Sequence, residues 1–234
     1  MKNIKKIVLL FSLSIFTLSL VGCNRSKSGN TDSDGALKAF NAIVKANPKS
    51  KGYHGELKHW GFKLSTGDKF EWTKDTSANK IDFAMVIEAD SLIKAGLDVT
   101  KLDPNKWVYK PAEIEEGVQL QNRLIFPYNV SDEKQTSNGS EDAFRRILKQ
   151  DGGLINYLKD EKHYMLMLGE DNSVHFTQTL GSSDEDMEFA FKAEPLIKAG
   201  LDVTKLEDSG FKLEVAEKDN KSGADQLVKG YKLK

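Results

Sequence analysis

Two of the four histidines, His59 and His163, stand in matching places 104 residues apart. Each opens an alternating stretch, His59-Trp60-Gly61-Phe62-Lys63-Leu64 and His163-Tyr164-Met165-Leu166-Met167-Leu168, and each is one residue out of phase with the apolar positions. In a strand that phase sends the imidazoles away from the core face. If the two halves pack about a twofold axis, the pair could converge on a metal or a haem. The second stretch adds Met165 and Met167, soft thioethers that suit copper, where the first offers Gly61 and Lys63. The plainer alternative is a solvent-facing histidine on each strand. A second polar set lies in LIKAGLDVTKL, which occurs twice, at Leu92–Leu102 and Leu196–Leu206. Exposed polar side chains ordinarily drift, so Asp98, Thr100 and Lys101, with Asp202, Thr204 and Lys205, are candidate contacts to a ligand or partner. Asp98 can alternatively cap the next turn, and apolar packing or recent duplication would also keep the segment constant. Trp60 and Trp72 fall on apolar strand faces, and their counterparts Tyr164 and Phe176 are aromatic too, which favours a core role over a ligand platform. Nucleophile elbow, zinc-protease helix, phosphate loop and dinucleotide fingerprint are all missing, so the expectation is a non-enzyme with no catalytic residue and no named cofactor.

These residues must be positioned by a duplicated architecture. The displacement of 104, taken without a gap, aligns Gly35–Val130 with Gly139–Lys234. It superimposes Phe40 on Phe144, Tyr53 on Tyr157, Asp82 on Asp186 and Ala112-Glu113 on Ala216-Glu217. Two copies make a duplicated domain rather than a solenoid. Each copy begins with a helix. In the first, Leu37, Phe40, Ile43 and Val44 form the stripe and Asp34 is the expected N-cap; in the second, Phe144, Ile147 and Leu148 form it and Ser140 is the cap. Alternating strands follow, with a turn at Thr66-Gly67-Asp68 or Glu170-Asp171-Asn172. The identical segment then supplies a short helix with Gly96 or Gly200 as a left-handed cap. The expected fold is α+β, with two homologous tandem units, each a mainly antiparallel sheet with a helix packed on one face, in the order α-β-β-β-α-β-β.

Residues 1–22 differ in kind from all of this. Lys2, Lys5 and Lys6 precede an apolar stretch, Ile7 to Leu20, that is short for a membrane span. The stretch ends in Leu20-Val21-Gly22-Cys23, which resembles the lipobox of bacterial lipoproteins. That resemblance implies cleavage before Cys23, diacylglycerol on its thiol, and anchoring to the extracytoplasmic face of the cell membrane by lipid. Cys23 is the only cysteine, so disulfides and cysteine metal sites are excluded. The net charge is −1, and the leader holds three lysines and no acid, which leaves −4 for the remainder. Charge of that sign, without basic runs, gives no support to nucleic-acid binding.

The chain therefore divides into a signal peptide (1–22), a lipidated Cys23 with a Ser/Gly/Asn-rich tether (23–34), one repeat unit (35–130), a polar link (131–138) and a second unit (139–234). The expected function is capture of a small ligand (small molecule, metal or haem) at the junction of the units, because duplicated units create a shared crevice. The alternative is a non-catalytic module docking on a cell-envelope complex. The expected partners are the lipid bilayer, through acylated Cys23, and either that ligand or an envelope protein.

Overall fold

A computed structural model describes residues 32–76, 81–115, 118–207, 209–216 and 223–233; the leader, Cys23, Glu217 and Lys234 lie outside the described residues. The first unit opens with α1 (Ser33–Ala46), whose buried stripe includes Leu37, Phe40, Ile43 and Val44. Its cap is Asp32, which accepts the Gly35 N–H at 2.9 Å, two residues ahead of the expected Asp34. Asp34 sits instead in the first turn, where its charge still favours the helix dipole. The second unit opens with α3 (Ser140–Gln150), which has Gly139 at the cap position, so Ser140 is not the cap but the first helical residue.

Four strands follow α1: β1 (Lys51–His54), β2 (His59–Lys63), β3 (Lys69–Thr73) and β4 (Phe83–Glu88). Next come the short helix α2 (Asp90–Lys94), a 3-10 turn at Val99–Lys101, β5 (Val108–Lys110), the hairpin β6 (Glu113–Glu115) and β7 (Val118–Leu120), and β8 (Arg123–Tyr128). The second unit runs α3, β9 (Ile155–Leu158), β10 (His163–Met167), β11 (Ser173–Thr177), β12 (Met187–Lys192), α4 (Ala193–Lys198), a turn at Val203–Lys205, β13 (Phe211–Glu214) and β14 (Gln226–Tyr231). The molecule is thus mixed α+β, with two similar six-stranded antiparallel sheets, β1-β2-β3-β4-β8-β5 and β9-β10-β11-β12-β14-β13. The expected order had five strands per unit. Of the missed edge strands, β1 is largely exposed and β9 buries only Ile155, so both lack the alternation that marks a half-buried strand.

The gapless alignment also needs correcting at its end. Phe83 pairs with Tyr128 and Met187 with Tyr231, so β4 and β12 differ by 104 residues while β8 and β14 differ by 103. One residue is lost in the connection between β13 and β14. The structural equivalence is fixed by hydrogen bonds: Asp82 accepts the Val130 N–H, and Asp186 accepts the Leu233 N–H, both through Oδ2. A buried carboxylate holds the strand end in register whatever the loop length.

One apolar cluster runs through both units. Phe40 stacks on Phe144 with ring centroids 4.5 Å apart, and Phe40 also meets Trp72 of the first sheet at 5.3 Å and Phe176 of the second at 5.8 Å. Phe144 in turn meets Trp72 and Phe83 of the first sheet. Each helix start is tied to the other unit: the Trp72 indole N–H donates to the Ser140 carbonyl at 2.9 Å, and the Tyr164 hydroxyl donates to Asp32 at 2.7 Å. Burial, together with that carboxylate, pushes the Tyr164 phenol up to about 12. Each half therefore completes the other's core.

Candidate functional site

The two identical segments lie against each other. The Asp98 N–H donates to the Ala199 carbonyl at 2.8 Å, and the Asp202 N–H donates to the Ala95 carbonyl at 2.9 Å, a reciprocal pair that defines a local twofold. Gly96 and Gly200 sit at the crossing with φ of 102° and 101°. A Cβ on either would stand 2.8 Å from the other's carbonyl oxygen. Leu92, Ala95, Leu97 and Leu102 are buried beneath, as are Leu196, Ala199, Leu201 and Leu206. Because the contact is reciprocal about the local twofold, each copy meets the same constraint at its apolar and glycine positions.

The polar members are engaged locally. Asp98 Oδ1 accepts from the Thr100 N–H at 3.1 Å and the Thr100 hydroxyl at 2.6 Å, and Lys101 approaches Oδ2 at 3.3 Å. Asp202, Thr204 and Lys205 repeat the arrangement, with the lysine at 2.9 Å. The Thr204 hydroxyl and Lys205 hold the Asp202 carboxyl at about 2, and the Thr100 hydroxyl holds Asp98 below the usual aspartate range. All six side chains lie at the surface as two self-contained caps.

The histidines behave differently from both sequence readings. They leave the core face, but neither is solvent-facing: His59 is 4% exposed and His163 8%. Each is held within its own sheet, His59 Nε2 bonding the Ile81 carbonyl and His163 Nε2 the Glu185 carbonyl, both at 3.1 Å. A carbonyl only accepts, so Nε2 carries the hydrogen in each ring and Nδ1 keeps its lone pair when the ring is neutral. His59 Nδ1 lies 3.8 Å from Glu71, and burial lowers that ring's pKa.

Beside His163 stands a residue that the sequence reading passed over. His175 is directly opposite Met165 in the β10–β11 register, on the face shared with His163, and the two rings are 6.5 Å apart. Its Nε2 lies 2.8 Å from the Ser173 hydroxyl, and its Nδ1 lies 3.3 Å from Glu188 and 4.0 Å from Glu161. Burial, then the neighbouring His163, push the His175 ring down to about 4, so it is neutral at pH 7. Burial, then Glu214, Glu161 and Glu185, push Glu188 up to about 7. The contact between them is therefore not a full ion pair. The signal was present in the sequence: with Val174 and Phe176 assigned inward, His175 has to face outward beside His163.

Two surface concavities stand out among the described residues. A broad groove of about 560 Å³ lies between the first unit's edge, with Lys51 and Trp60, and the start of α3, with Ser140, Glu141 and Arg145. A second, of about 500 Å³, lies by Ile197, Lys198 and Asp225. Neither is lined by the six polar residues of the repeated segments. Trp72 and Trp107 are buried, Trp107 against Phe126 and Phe191, so neither is a ligand platform. Comparison with protein families, curated proteins and solved structures finds no match to this chain.

Proposed function

We propose that the chain is an exported lipoprotein, held to the extracytoplasmic face of the membrane through acylated Cys23, that displays a non-catalytic docking module to the cell envelope. In this reading residues 1–22 are removed and the polar tether holds the body off the bilayer. Each sheet has a helix packed on one face, and the two units form one body. The observation that carries the docking role is the filled junction: Phe40, Phe144, Trp72 and Phe176 occupy the space where a shared ligand crevice would lie. Recognition is then left to the exterior. Tyr53 on β1 and Tyr157 on β9 are matched edge-strand tyrosines, 42% and 40% exposed, each leaning on the aromatic behind it. Among the described residues no helix is long and apolar enough to cross a membrane, so in this reading attachment falls to the lipid.

The anchoring test is metabolic labelling with an alkyne fatty acid, followed by membrane fractionation. Wild type should label and sediment with membranes, whereas Cys23→Ala should lose the label and either become soluble or persist as precursor. A Cys23→Ala chain that is processed and sediments unchanged would sink the lipoprotein reading. For docking, a photo-crosslinker placed at Tyr53 or Tyr157 should trap one discrete envelope protein, while one at Lys101 should not. Smears alone from both tyrosine positions would refute it. A second reading, small-ligand capture, is favoured by one feature only: the rim groove by Trp60 and Ser140 is lined by both units.

A further inference from the structure

We infer that the outer face of the second sheet carries a divalent transition-metal site, with His163 Nδ1, His175 Nδ1, Glu161 and Glu188 as ligands and Zn²⁺ as an ion suited to this donor set. Two imidazole nitrogens with two carboxylate oxygens form a normal four-coordinate zinc set. Both rings are oriented from behind as metal-bound histidines are. His163 Nε2 donates to the Glu185 carbonyl, and the Ser173 hydroxyl stands ready to accept from His175 Nε2. Both Nδ1 atoms then face carboxylate oxygen: His163 Nδ1 lies 4.0 Å and His175 Nδ1 4.0 Å from Glu161 Oε2, with Glu188 Oε1 3.3 Å from His175 Nδ1. A cation seated between these nitrogens and oxygens would satisfy both sides, in place of the proton that His175 Nδ1 and Glu188 can share at 3.3 Å.

One separation is already what an ion needs. Ligand atoms 2.0–2.1 Å from a tetrahedral ion stand about 3.3 Å apart, which the His175–Glu188 pair already matches. The two separations to Glu161 are wider, and among the described residues no group of three or more His, Cys, Asp or Glu side chains stands in ligating geometry as it is. The adjustment falls to Glu161, whose side chain is 59% exposed and free to swing inward over the two buried rings.

The first unit shows what the same face looks like without a site. Glu71 stands at the His175 position, Leu57 at Glu161, Ala84 at Glu188 and Lys110 at Glu214. Glu71 is neutralised there by Lys69 at 2.9 Å. In the second unit the position of Lys69 is Ser173, and Glu161, Glu185 and Glu214 crowd Glu188 with Lys212 as the opposing cation. The second unit thus has a second imidazole, further carboxylates and an exposed glutamate over them, where the first has only His59 with a lysine-paired Glu71.

The test is calorimetric titration of the chelator-treated full chain with Zn²⁺ alone, followed also by imidazole NMR signals. One Zn²⁺ should bind per chain and shift the His163 and His175 rings while leaving His59 in place. His175→Glu, which installs the first unit's residue, and Glu188→Gln should each weaken binding more than about tenfold. Glu71→Gln in the first unit should not change it. Should His175→Glu fail to fold by circular dichroism, Glu161→Gln, at an exposed position, has to show the loss. The inference is overturned if no saturable uptake occurs at micromolar Zn²⁺, if uptake survives in both Glu161→Gln and Glu188→Gln, or if the two rings do not respond.

Discussion

Asp98 and Asp202 show how near neighbours in the chain hold a surface carboxylate. Each carboxylate accepts two bonds from the threonine two places on and attracts the lysine after it. These interactions favour the charged form and depress the pKa, to about 2 at Asp202. A depressed carboxyl contributes stability that is present above its ordinary value and lost as the pH falls through the folded value. The Asp202 cap should therefore hold through the mild acid range and fail only near pH 2, and the Asp98 cap should fail below the ordinary aspartate range. Carboxyl carbon NMR should find both midpoints below those of ordinary aspartates, and Thr204→Val should raise that of Asp202. Lys101→Ala with Lys205→Ala should change stability by no more than about 0.5 kcal/mol each. The sequence marked these residues as candidates because identity between copies looks like selection on their side chains. It could not show that Thr100 and Lys101 turn back onto Asp98, or that the segment packs on its own copy. The histidine face was legible from strand phase. The histidines' burial was not, because it depends on the backbone of residues 81 and 185, each 22 residues further along the chain.

At the scale of elements, the crossing of the two repeated segments is constrained twice over. Gly96 and Gly200 combine a positive φ with a backbone approach that leaves no room for a methyl group. Alanine at either position adds left-handed strain to overpacking against a carbonyl that cannot retreat. Gly96→Ala and Gly200→Ala should each cost about 2–4 kcal/mol, read by denaturant unfolding. Gly52→Ala, where a Cβ meets nothing within 4 Å, is the control and should cost little. A glycine cap was foreseeable from sequence, since the residue follows a short apolar helix. The second reason for glycine is contact with a segment 104 residues away, which local pattern does not encode. The edge strands escaped for a related reason: β1 buries little, so periodicity had nothing to report. The lost residue between β13 and β14 was likewise hidden, because an ungapped match in the conserved segment gives no warning of a shift in the following loop.

At the scale of the whole molecule, the halves are joined by charge as well as by aromatic packing. Asp68, fully buried in the first unit, accepts from the Ser65 hydroxyl and the Glu88 N–H and pairs with Lys229 of the second unit at 2.7 Å. Its counterpart Asn172 accepts from the Lys192 N–H in the same way without a charge to neutralise. Lys229→Met should then cost about 3–5 kcal/mol, because it strands a buried carboxylate. Adding Asp68→Asn should recover much of that loss, and a double-mutant cycle by thermal unfolding reads the coupling.

The same interlocking decides what a single unit can do. Residues 131–137 belong physically to the first unit: the Thr76 N–H and hydroxyl bond to Gln135 and Glu133, and Ser137 bonds to Lys74. A cut after Asn138 therefore keeps these bonds within the first half. Residues 32–138 alone would expose Phe40, lose the cap contact from Tyr164 and leave Gly96 facing no partner. Residues 139–234 alone would lose the Trp72 bond to α3 and the stack on Phe144. Each half buries too little alone, because small domains have little surplus of burial over chain entropy. Expressed separately, the halves should lack near-ultraviolet circular dichroism and bind a hydrophobic dye. Co-expressed, they should copurify one to one and recover a cooperative melt. Gly200→Ala in the second half should weaken that reassembly through the carbonyl of Gly96. A first half that unfolds cooperatively as a monomer would show that the shared core is a contact between finished domains, and the account of one interdigitated body would fail.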